Sequence, residues 1–165
     1  MTPTDPDTRK HLPTTQAKMW LLVADEGRAR LFSADASRGP LHELHDIIDP
    51  EGRSRDQDLV TDRPGRTFDS GGEGRHAMEP STEPTEVEAI GFAKRLVETM
   101  DAARTRGRFE HLGLVAAPAF LGHLRKSLSD ELAKHVVLEV DKDLTRFDPP
   151  GIRKRLPDRL FSGSD

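Results

Sequence analysis

Two short runs in this chain are apolar without interruption: Trp20 to Ala24 (WLLVA) and Leu112 to Ala116 (LGLVA). A half-exposed strand alternates apolar with polar residues, whereas a continuous run of this length marks a strand buried on both faces. Hydrophobic residues make up only 34% of the chain and charged ones 33%. The core is therefore lean, and such runs must form its centre. At 165 residues the chain is expected to fold as one domain with a real core.

The remaining elements follow around these runs. Asp25 to Arg28 supplies turn chemistry, and Ala29 to Ser33 alternates as a second strand, so the first pair reads as a hairpin. Leu41 to Ile48 reads as a third, more exposed strand. Val87, Ile90, Ala93, Leu96, Val97, Met100 and Ala103 recur at spacings of three and four, the pattern of a helix from about Thr85 to Arg106. Glu86 and Glu88 at its start and Arg104 and Arg106 at its end suit the helix dipole, and Gly107 stops it. Pro118 opens a second helix bearing Phe120, Leu121, Leu124 and Leu128. Ser129 can cap a short helix, Val136 to Val140 forms a last strand, and Asp148 can cap a terminal helix carrying Ile152 and Leu156. The expected fold class is α/β: a single layered domain with a mixed sheet led by a β-hairpin and helices packed on it. Residues 1–17 and 157–165 are expected as flexible tails around a domain at 18–156.

Composition excludes several classes. Cysteine is absent, which removes disulfides, thiolate metal sites and a thiol nucleophile. No apolar run approaches the roughly 20 residues of a membrane span, and the N-terminal stretch has no secretory apolar region. The expected location is the cytoplasm. The formal net charge of −4 is not that of a DNA binder, so no DNA is expected as a partner. Aromatic residues are 5% with no Tyr, which supplies stacking platforms for RNA poorly. No cofactor is expected.

The stretch 49–86 has no strand pattern and is dense in Gly, Pro, Arg and acids, so it reads as a long loop between the strand-rich front and the helix-rich back. At its centre Gly71, Gly72, Glu73, Gly74, Arg75 and His76 follow one another. Backbone N–H groups there could form an anion nest with Arg66 and Arg75, or the glycines could simply let the loop turn. Arg53, Arg55, Arg63, Arg66 and Arg75 could clamp phosphates, or pair with the acids threaded among them. His76 with Glu79 could serve as base or ligand, but metal sites need three or four ligands and none other is spaced for it. Asp25, Asp141 and Asp143 stand at the ends of buried strands, where carboxylates can hold two Mg²⁺ ions for phosphodiester cleavage or serve as turn residues. Neither Ser70 nor Ser127 lies in a nucleophile elbow.

Trp20 to Arg30 (WLLVADEGRAR), Asp58 to Arg66 (DLVTDRPGR), Gly74 to Pro80 (GRHAMEP) and Leu138 to Leu144 (LEVDKDL) resemble the bacterial host-attachment protein family, over roughly residues 18 to 157. The layout is also similar to the middle domain of archaeal and eukaryotic peptide-chain release factors, with its leading hairpin, Gly-rich loop, long helix and strand-helix-strand. In those factors the loop ends in Gly-Gly-Gln; here Gly71-Gly72-Glu73 falls in the matching place. An acid there is repelled by RNA phosphates, which argues against peptidyl-tRNA hydrolysis. The resemblance implies a non-enzymatic binding protein acting in host attachment, with a protein, ribosomal RNA or tRNA as partner. The alternatives are a ribosome- or tRNA-associated factor using the Gly71–Gly74 loop, and a metal-dependent phosphodiesterase built on Asp25, Asp141 and Asp143. The candidate binding residues are Arg63, Arg66, Gly71, Gly72, Glu73, Arg75, His76 and Glu79.

Overall fold

A computed structural model describes residues 15–48 and 70–163, with the backbone alone described at 47–48 and 70–85. Along the chain lie β1 (Ala17–Ala24), β2 (Arg28–Ala34), β3 (His42–Ile48), α1 (Ser70–Thr105), β4 (Phe109–Val115), α2 (Pro118–Ser127), α3 (Asp130–Ala133), β5 (Val136–Val140) and α4 (Pro149–Lys154). The strands form one five-stranded sheet in the order β3-β2-β1-β4-β5. β1 and β2 form the expected antiparallel hairpin, β3 continues it antiparallel, and β1, β4 and β5 run parallel. The two continuous apolar runs thus pair at the centre of the sheet, with Leu22 between Leu31 and Leu114.

Both faces of the central strands are covered, which is why their sequences do not alternate. On one face Trp20, Leu22, Leu31, Leu112 and Leu114 pack against α1 and α2. Trp20 lies against Phe109 at 5.4 Å between ring centroids. Its indole N–H is buried with no acceptor among the described residues, so ring packing must outweigh a desolvation cost of about 1–3 kcal/mol. On the other face Met19, Leu21, Val23 and Phe32 meet Leu144, Ile152, Leu156, Leu160 and Phe161. Gly113 makes this close approach possible: a Cβ there would stand 2.6 Å from both Leu21 Cδ1 and Met19 Cε.

The capping expectations hold. Ser129 Oγ accepts the N–H of Leu132, and Asp148 Oδ1 accepts that of Gly151. Gly107 ends α1 in the left-handed region at φ 69°, with Arg108 N–H donating to Ala103 O.

Three expectations are corrected. First, α1 starts at Ser70 rather than near Thr85, so the segment read as loop is helical from there. The sequence carries no apolar repeat over 70–85, so a helix there leaves no periodic signal to read. The rest of the expected loop, 49–69, lies outside the described residues.

Second, the packed face of α1 is Ala89, Phe92, Ala93, Leu96, Val97, Met100 and Ala103, while Val87 is 69% exposed and Ile90 is exposed too. At 3.6 residues per turn Val87 stands roughly 160° around the helix from Ala89. Third, the segment after Leu156 is not loose, since Leu160 and Phe161 are buried. Arg153 fastens this segment by donating to the carbonyls of Gly39, Pro157 and Asp158. Leu160 N–H donates to Ser37 O at 2.8 Å.

Candidate functional site

Because β1, β4 and β5 are parallel, their carboxyl ends open on the same end of the sheet, where ligands sit in open α/β folds. Asp25 follows β1, and Asp141 and Asp143 follow β5. The structure brings two of the three together. Thr145, fully buried, places its hydroxyl 2.7 Å from Asp143 Oδ1 and 3.2 Å from Asp25 Oδ2. A hydroxyl carries one hydrogen and donates to one carboxylate at a time. The shorter contact makes Asp143 the main acceptor, and its Oδ1 also takes the Thr145 N–H at 3.1 Å. Asp25 Oδ1 is occupied by the N–H of Gly27, the contact that closes the β1–β2 turn. Asp141 is exposed and makes no hydrogen bond or ion pair among the described residues.

Beside this pair lies a residue that the sequence did not mark. Arg30, on β2, is only 7% exposed. Its Nε and Nη2 grip the carboxylate of Glu43 on β3, both at 2.8 Å. Its Nη1 donates to the carbonyls of Thr145 at 2.8 Å and Phe147 at 2.6 Å. The guanidinium lies over the Phe32 ring at 5.1 Å. One buried cation therefore joins β2, β3 and the segment after β5. These hydrogen bonds hold the Glu43 carboxyl below its ordinary value of 4.5, outweighing the opposing effect of partial burial. The available signal was parity, since Arg30 points to the same side of β2 as Phe32. Its partners are set by tertiary structure alone.

Chemically, this end of the sheet is a set of carboxylates and one guanidinium wired to backbone and hydroxyl groups. Among the described residues no three His, Asp or Glu side chains are placed to hold a metal ion. Of the other candidates, Arg63 and Arg66 lie outside the described residues. Gly71, Gly72, Glu73, Arg75, His76 and Glu79 lie within roughly two and a half turns of the start of α1. The Gly-Gly-Glu segment therefore has helical backbone and is not a loop tip ahead of the helix. No helix among the described residues is long and apolar enough to cross a membrane.

A comparison with curated proteins gives no match. The model of one family, described as "Protein required for attachment to host cells", matches residues 20–156, from the first central strand to the end of the terminal helical segment. With that match spanning most of its length, the chain belongs to the family of proteins required for attachment to host cells.

Proposed function

We propose that this protein serves host attachment as a binding module and not as an enzyme. The observation that carries this reading is the wiring of the carboxylates at the sheet's carboxyl end. Asp143 Oδ1 takes both donors of Thr145, and Asp25 Oδ1 takes Gly27 N–H while its Oδ2 lies 3.2 Å from the same hydroxyl. Groups held in this way shape a loop; a metal-dependent phosphodiesterase would need them turned toward an ion and its water. The loop they shape, 141–148, is also gripped by Arg30, so this end is built as a fixed surface. Fixed surfaces suit recognition, because little order remains to be imposed on binding.

The test uses the doubly substituted chain Asp25→Asn/Asp143→Asn. Asparagine keeps an acceptor oxygen for Gly27 N–H and for Thr145, but it removes the charge a metal or a general base requires. Cells lacking the parent gene should recover attachment to host cells when they express this variant. Lost attachment with an unchanged melting temperature would show that the carboxylates act chemically and would end the binding reading.

A further inference from the structure

We propose that the surface around Arg155 binds single-stranded nucleic acid, with the Arg155 guanidinium as the plane on which an unpaired base stacks. The guanidinium carbon lies 3.8 Å from the centroid of the Phe147 ring. Its Nη1 donates to Gly151 O at 3.0 Å. Aromatic ring and carbonyl together fix the plane, while the residue remains exposed. Phe147 thus backs the guanidinium from one side, and the exposure of Arg155 leaves it accessible to solvent. Unpaired bases stack on such planes as they do on aromatic rings. A chain poor in aromatic residues thereby gains a platform that its composition does not suggest.

The charge around the platform favours a polyanion. Between Lys142 and Arg159 stand six cations and three acids, in a chain whose formal net charge is −4. Each of the three acids already has a partner: Asp143 holds Thr145, Asp148 caps α4 at Gly151, and Asp158 pairs with Arg38. Arg153 is spent on carbonyls. The side chains of Lys142, Arg146 and Lys154 are exposed and make no hydrogen bond or ion pair among the described residues. Arg146 directly precedes Phe147 and Lys154 directly precedes Arg155, so both flank the stack and can meet phosphates. A sulfated glycan would use the cations but not the guanidinium plane, and it is the fixed plane that favours bases.

The experiment is fluorescence anisotropy of short labelled oligo-uridine RNA and oligo-thymidine DNA with the full chain, over a salt series. Binding should weaken as salt rises. The slope of log affinity on log salt should fall by roughly 0.7 in Arg146→Ala and again in Lys154→Ala. Arg155→Ala should bind about tenfold more weakly. Arg155→Lys, which keeps the charge and loses the plane, should be equally weak. All three positions are exposed, so melting temperatures should match the parent. Binding of either oligonucleotide supports the proposal, whichever of the two is preferred. Three results overturn it: no binding by the parent at low salt, Arg155→Lys binding like the parent, or heparin binding more tightly and displacing both oligonucleotides.

Discussion

Replacing Arg30 by alanine removes four hydrogen bonds at once, two to Glu43 and one each to the carbonyls of Thr145 and Phe147. Hydrogen bonds to charged groups contribute about 1.5–3 kcal/mol when well buried. The Glu43 side chain is 33% exposed, so solvent screening brings the carboxylate pair down to about 1–2 kcal/mol in all. Thr145 is buried, and leaving its carbonyl without a donor costs about 1–3 kcal/mol more. The expected loss is about 2–5 kcal/mol, a large part of the roughly 5–15 kcal/mol that holds a domain folded. For a chain of this size that lowers the melting temperature by roughly 10 °C.

Urea unfolding followed by circular dichroism measures the loss directly. Glu43→Gln should lose only about 1 kcal/mol, because Arg30 keeps its two carbonyl acceptors. The pair also makes stability depend on pH. The folded Glu43 carboxyl titrates below its unfolded value of 4.5, so between the two values the unfolded chain binds more protons. Its stabilisation is present above pH 4.5 and is lost as pH falls through the folded value. Glu43→Gln should flatten that acid limb and leave stability near neutrality sloping as in the parent. An Arg30→Ala loss within about 0.5 kcal/mol of zero would refute the view of Arg30 as the tie between the hairpin and the 141–148 loop.

Two further outcomes test the second face of the sheet. A chain ending at Leu156 loses buried Leu160 and Phe161 and two carbonyl partners of Arg153; burial of two such side chains contributes about 3–6 kcal/mol. Its melting temperature should fall steeply, and one equal to the parent's would mean that the segment is not part of the fold. Gly113→Ala should cost about 1–3 kcal/mol, since the added methyl meets Leu21 and Met19 inside a filled layer. A neutral or higher stability by urea unfolding would show that those side chains repack freely.

Much of the architecture was legible because its signals are local. The continuous runs at Trp20 and Leu112 specify buried strands, Ser129 and Asp148 declare helix starts, and Gly107 declares a helix end. Where a signal depends on a partner, reading it from one segment fails. Val87 and Ile90 have helical spacing, yet which side of α1 faces the sheet is set by Phe92 and Leu96 packing on Leu22 and Leu114. Leu160 and Phe161 sit in a stretch with the polar composition of a tail, and only the apolar face of Met19, Leu21 and Phe32 gives them a place. The candidate site divides in the same way. Asp25 and Asp143 were recognisable as carboxylates at strand ends, but their shared hydroxyl comes from Thr145, 120 residues along the chain from Asp25. Arg30 carries no such mark, since in the alternation of β2 it simply shares a side with Phe32.

By itself, then, the sequence determined the order and type of most elements and, through the segments it shares with the family, membership of the host-attachment proteins. Local preference and apolar periodicity need no partner to be read. Tertiary structure alone decided which charges are structural and which are offered to solvent. Arg30 and Arg153 are consumed inside the fold, while Arg155 sits over Phe147 at its surface. Three arginines of the same chemistry differ only in what the folded chain places around them.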